Sequence, residues 1–173
     1  ILYILNVIQS IRSNLPKLNE EISPEKKYAF KQIVILSMVY ALTFGSELAV
    51  LSMFPQFLES TFQLSVTTAG IIGSSFALMN LVSRPAGGWV SDLMEKNKTL
   101  ALLVIGAMVG YITMSQITSS WPLWTVIMVA LGCSTCLQAG NGACFAAIPL
   151  IRKDLTGKLA GLAGAYGNVG AVI

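Results

Sequence analysis

Apolar runs separated by short polar breaks fill most of the chain, and their lengths set the first expectations. Residues 33–57 form an apolar stretch of about 25 positions with no lysine or arginine, enough to cross ~30 Å of hydrocarbon at ~1.5 Å per helical residue. Comparable runs follow at about 67–93, 99–118 and 123–150, and another begins at Lys158 and is still apolar at the last residue. Residues 1–9 read as the end of an earlier helix. Residues 10–32 hold Pro16, Pro24 and eight charged side chains, which predicts a surface connection and a boundary between two bundles. The pattern predicts an all-α membrane protein. Pro85, inside the second run, predicts a bend there, because proline removes one backbone hydrogen bond.

Charge orients these spans. Of eleven Lys and Arg residues, Arg84 lies within a span. The others fall in three connections: Arg12, Lys17, Lys26, Lys27 and Lys31 in the first, Lys96 and Lys98 in the second, and Arg152, Lys153 and Lys158 in the third. The intervening connections have none, so loops 10–32, 94–98 and 151–158 are expected on the cytoplasmic side of a cell membrane. Composition agrees: 54% hydrophobic residues, 11% charged residues and a mean hydropathy of +0.71 exclude an ordinary soluble domain, and no nucleic-acid partner is expected. The chain opens on Ile1 and ends inside an apolar run, which reads as a partial sequence. Cys133, Cys136 and Cys144 share one apolar run in a chain without histidine, so they read as small buried residues and no metal or cofactor is expected.

Two charges remain deep in the spans, Arg84 and Glu47. A guanidinium keeps its proton, so its burial is costly and points to a task. Counting from the shared cytoplasmic end places Tyr40 about 11 Å, Arg84 about 13 Å and Phe44 about 17 Å deep. Tyr40, Phe44 and Glu47 share one helical stripe, and Asn80 lies one turn before Arg84. A cavity between these faces would offer paired donors, an amide and an aromatic wall, which suits a small planar oxyanion. A structural ion pair between Arg84 and Glu47, with the aromatics as packing, is the competing reading.

Two further motifs stand out. In Arg84-Pro85-Ala86-Gly87-Gly88-Trp89-Val90-Ser91-Asp92, the glycines Gly87 and Gly88 permit close helix approach, while Ser91 and Asp92 sit at a helix end where contacts can be exchanged. Gly161, Gly164, Gly167 and Gly170 predict backbone-to-backbone packing of the last helix. They place Asn168, a polar group in need of a partner, on the face of Gly164.

Together, Tyr40-Ala41-Leu42-Thr43-Phe44-Gly45, Ser83 to Asp92 and Ala163 to Gly170 resemble, in this order, the carboxyl-terminal half of the nitrate/nitrite porter family of the major facilitator superfamily. The third segment is similar to that family's glycine-rich signature. The resemblance implies a twelve-helix fold, with this chain holding the end of helix six, helices seven to ten and part of helix eleven. It implies that Arg84 binds the anion with a second arginine from the absent amino-terminal half, that Tyr40 and Phe44 line the site, and that Gly87, Gly88, Ser91 and Asp92 form a gating motif. Leu93 stands where that motif has a basic residue. Glu47 favours proton-coupled symport, since exchangers of this family keep their sites free of protonatable groups.

The expected partners are therefore nitrate or nitrite, protons and the bilayer, with uptake by alternating access. Nitrate/nitrite exchange, or a porter for another small solute, are the alternatives. An enzyme would need a nucleophile, metal ligands or an acid–base pair that these spans do not offer.

Overall fold

The computed structural model describes residues 2–18 and 30–172. Seven α-helices account for most of them: α1 (Leu2–Leu18), α2 (Phe30–Phe62), α3 (Val66–Leu78), α4 (Asn80–Leu93), α5 (Lys96–Ser115), α6 (Leu123–Ile151) and α7 (Thr156–Gly170). A 3-10 turn at Lys153–Leu155 precedes α7. Among the described residues, four spans are long and apolar enough to cross a membrane: α2, α3 with α4, α5 and α6. Residues 10–18, expected in a surface connection, continue α1; residues 19–29, with Lys26 and Lys27, lie outside the described residues.

Helix α4 runs through Pro85, where the sequence predicts a bend, and the helical path is interrupted about one and a half turns earlier, at Met79. The carbonyl of Phe76, just before the interruption, accepts from Ser134 Oγ at 2.9 Å and from Gln138 Nε2 at 2.8 Å, both on α6. Side chains that insert into a helical ladder are a recognised cause of kinks.

Helix α6 is the central element, packing against α2, α4 and α5, while α7 lies along α2. Apolar side chains are as common on the outer faces as inside, as expected where the surroundings are lipid, so small residues set the helix spacing. The buried residues of α4 are Ser83, Gly87 and Ser91, one turn apart. Cys133 and Cys136 of α6 fit against Gly110 and Gly106 of α5; all three cysteines are free and serve as small packing residues.

Two apolar clusters result. One gathers Phe54, Leu58, Phe76, Val126 and Leu137, the other Ile33, Leu36, Leu100, Ile148 and Leu159. Along both α2 and α6 the clusters are separated by a polar layer, with Glu47 on one helix and Gln138 and Asn141 on the other.

Candidate functional site

The polar layer is built from three helices. From α2, Tyr40, Thr43 and Glu47 point inward and are buried. Tyr40 stacks on Phe44 with ring centroids 5.3 Å apart and planes inclined by 9°, and Phe145 of α6 meets Tyr40 edge-on at 5.0 Å. From α4, Arg84 holds its guanidinium carbon 5.7 Å from the centre of the Phe44 ring, within cation–π range. Room for Tyr40 comes from α7, where Gly167 faces the two rings; a β-carbon there would lie 3.1 Å from Phe44 Cδ1 and closer still to Tyr40.

Glu47 is 3% exposed and is surrounded by donors. Its Oε1 accepts from Asn80 Nδ2 at 2.5 Å and from Gln138 Nε2 at 3.4 Å; its Oε2 accepts from Asn141 Nδ2 at 2.7 Å. Arg84 Nη2 lies 3.7 Å from Oε2, an ion pair too long to be a hydrogen bond. A carboxylate removed from water needs this many partners, because an uncompensated buried charge costs several kcal/mol.

The guanidinium is less fully engaged. Its Nε and Nη2, the two donors of one bidentate edge, are buried and make no hydrogen bond among the described residues, although the side chain as a whole is 36% exposed. An edge of this kind matches the spacing of two oxygens on a planar oxyanion. Asn80 Oδ1 and Gln138 Oε1 are likewise buried without a partner.

The structure thus brings together Arg84, Tyr40, Phe44, Glu47 and Asn80. Asn168 is not among them: it is exposed, and its Nδ2 returns to the carbonyl of Gly164 at 3.0 Å in its own helix. The four glycines that the sequence pattern singled out in α7 divide. Gly167 faces Tyr40 and Gly170 meets the backbone of Ala41, whereas a β-carbon on Gly161 or Gly164 would meet nothing within 4 Å. In the candidate gating motif, Gly87 lies against the backbone of Ala139, Gly88 faces Gly142, Ser91 is fully buried and Asp92 is exposed. Asp92 pairs with Lys96 four residues on, so a basic partner arrives one helical turn later than Leu93.

Gln138 and Asn141 were missed by the sequence reading, as was Thr43, whose hydroxyl donates to Asn141 Oδ1 at 2.6 Å. The available signal was Gln138-Ala139-Gly140-Asn141, two amides three residues apart in an otherwise apolar run. Each needs a partner for its polar atoms.

Comparison with known proteins gives a match to the Major Facilitator Superfamily over residues 5–173. The chain belongs to this superfamily. With four membrane-length helices, it is part of a multi-pass membrane protein. It is similar to the nitrate/nitrite transporter NrtP of Picosynechococcus sp., with 50% identity over 151 residues, 87% of this chain and 28% of the relative. NrtP of Nostoc punctiforme is 41% identical over 149 residues, 86% of this chain and 30% of that protein. Nitrate transporter 2.1 of Chlamydomonas reinhardtii is 34% identical over 146 residues, 80% of this chain and 26% of that protein. The chain therefore spans under a third of the length of these relatives. No solved structure matches it.

Proposed function

We propose that the complete protein moves nitrate or nitrite across the membrane by alternating access, and that this chain supplies one side of the anion site. The observation that carries the reading is the bidentate edge of Arg84, whose Nε and Nη2 make no hydrogen bond among the described residues and lie beside Phe44 and the stacked Tyr40, with Nη2 in a long ion pair to Glu47. The names of the similar proteins point to the same anions. Arg84 binds two oxygens in the plane of the ion, the aromatic pair walls the site off from water, and a second cation from the rest of the protein completes the charge balance. The role is transport rather than catalysis. The ends of α1 and α2 that flank residues 19–29, together with residues 94–98 and 151–158, lie on the cytoplasmic side, and the Gly87–Asp92 segment changes partners as the bundles rock.

The deciding experiment is nitrate binding to the complete protein with Arg84→Lys. A lysine keeps the charge and loses the fork, so affinity should fall at least about tenfold. Unchanged affinity would remove Arg84 from the site.

Glu47 makes proton-coupled symport the favoured mode. A carboxylate 3.7 Å from the guanidinium competes with an incoming anion, and protonation relieves that competition. Glu47→Gln, which imitates the protonated acid, should bind nitrate without driving proton entry. Retained coupling would favour exchange of one anion for another, with Glu47 a fixed counter-charge.

A further inference from the structure

The donors around Glu47 differ in whether they can be reversed. Gln138 cannot turn its amide over: its Nε2 also donates to the Phe76 carbonyl at 2.8 Å, and reversal would set two oxygens against each other there. Asn141 is different. Its Nδ2 donates to Glu47 Oε2 at 2.7 Å and its Oδ1 accepts from Thr43 Oγ1 at 2.6 Å. Thr43 Oγ1 lies also 3.0 Å from the carbonyl of Val39, a second acceptor for the same hydroxyl hydrogen. A hydroxyl both donates and accepts, and an amide offers a donor at one end and an acceptor at the other.

Resting on the reading of Glu47 as the proton carrier, we infer that the proton binds at Oε2 and that Thr43 and Asn141 form a two-state relay which accommodates it. With Glu47 ionised, the Thr43 hydroxyl donates to Asn141 Oδ1 and Asn141 Nδ2 donates to Oε2. When a proton from the aqueous phase forms the O–H bond at Oε2, Asn141 turns over. Oε2–H then donates to Asn141 Oδ1, Asn141 Nδ2 donates to Thr43 Oγ1, and the Thr43 hydrogen swings to Val39 O. The relay leaves no member of the triad unpaired in either state, the condition for a buried polar network to be stable both ways. Oε2 is also the oxygen paired with Arg84, so the same event releases the guanidinium. On deprotonation the proton returns to water and the sequence reverses.

The charged and titratable groups facing Glu47 are Arg84 from α4, Tyr40 from its own helix and Tyr111 from α5; α6 presents amides to it. Thr43 carries no charge and meets only one of these residues, Tyr40, through that residue's backbone carbonyl at 3.4 Å, which makes Thr43 the discriminating residue. Nitrate affinity of the complete protein is measured against pH by titration calorimetry for wild type, Thr43→Val and Thr43→Ser. In the valine variant each state loses one bond: the unreversed amide leaves Asn141 Oδ1 without a donor, and the reversed amide leaves its Nδ2–H without an acceptor. The buried N–H is the costlier orphan, so the protonated state is disfavoured and the midpoint should move to lower pH by about half a unit. Serine restores the hydroxyl and should restore the midpoint; Thr43→Ala should repeat the valine result if valine folds poorly. An unmoved midpoint in both the valine and alanine variants overturns the relay, as does serine behaving like valine. Failure of the underlying reading looks different: pH-dependent affinity would persist in Glu47→Gln, or be absent from the wild type.

Discussion

Gly142 on α6 sits against the carbonyl of Arg84 on α4, and a β-carbon at Gly142 would collide with that oxygen. This close approach sets the distance between the two helices at the level of the site. It brings Arg84 and Asn80 to one side of Glu47 while Gln138 and Asn141 reach it from α6.

Gly142→Ala should therefore separate α4 from α6. Nitrate affinity should fall at least tenfold, with a loss of stability on the order of 1–3 kcal/mol from overpacking. Gly132→Ala on the same helix meets nothing within 4 Å and serves as the control, expected to be neutral or slightly stabilising by helix propensity. Binding and thermal unfolding of both variants in detergent check this pair.

Gly167→Ala should act through the aromatic wall. The added methyl group displaces Tyr40 and presses on Phe44, so anion affinity drops while the Glu47 hydrogen bonds stay in place. Phe44→Leu, which removes the ring beside Arg84 and the stack on Tyr40, should weaken nitrate binding roughly two- to tenfold. Equal affinity in both variants and wild type would assign the rings to packing alone.

Two substitutions at Glu47 should differ in stability. Glu47→Ala leaves three amide donors and a guanidinium facing an empty space, and although Arg84 is exposed enough to stay hydrated, the orphaned amides should cost on the order of 1–3 kcal/mol. Glu47→Gln keeps the volume and one acceptor oxygen, so the loss should be smaller. Unfolding midpoints of the two proteins test the order; a glutamine variant as unstable as the alanine variant would contradict it.

The Asp92–Lys96 pair is exposed on the aspartate side and spans one turn between α4 and α5. Its loss in Lys96→Ala should change stability by less than about 1 kcal/mol. If the segment gates transport, the same change alters turnover and leaves the nitrate dissociation constant untouched, which transport assays and binding separate.

What the sequence determined by itself is what periodicity and composition carry: four membrane-length apolar spans, an inward stripe holding Tyr40 and Glu47, and two charges deep enough to need partners. The ion pair between those charges was also foreseeable, since each is costly alone. Periodicity reports which residues share a face of one helix. It is silent on how helices are rotated against each other, and in lipid the apolar pattern gives little help because both faces of a span are apolar. The tertiary structure therefore decided the rest. Close packing at Gly142 and Gly87 turned Gln138 and Asn141, 91 and 94 residues distant in sequence, onto Glu47. The claim of Ser134 and Gln138 on the Phe76 carbonyl accompanies the interruption at Met79 rather than at Pro85. Asn168, which local spacing made a site candidate, is exposed and bonds within its own helix, because Gly167, one residue earlier, is the position that meets α2.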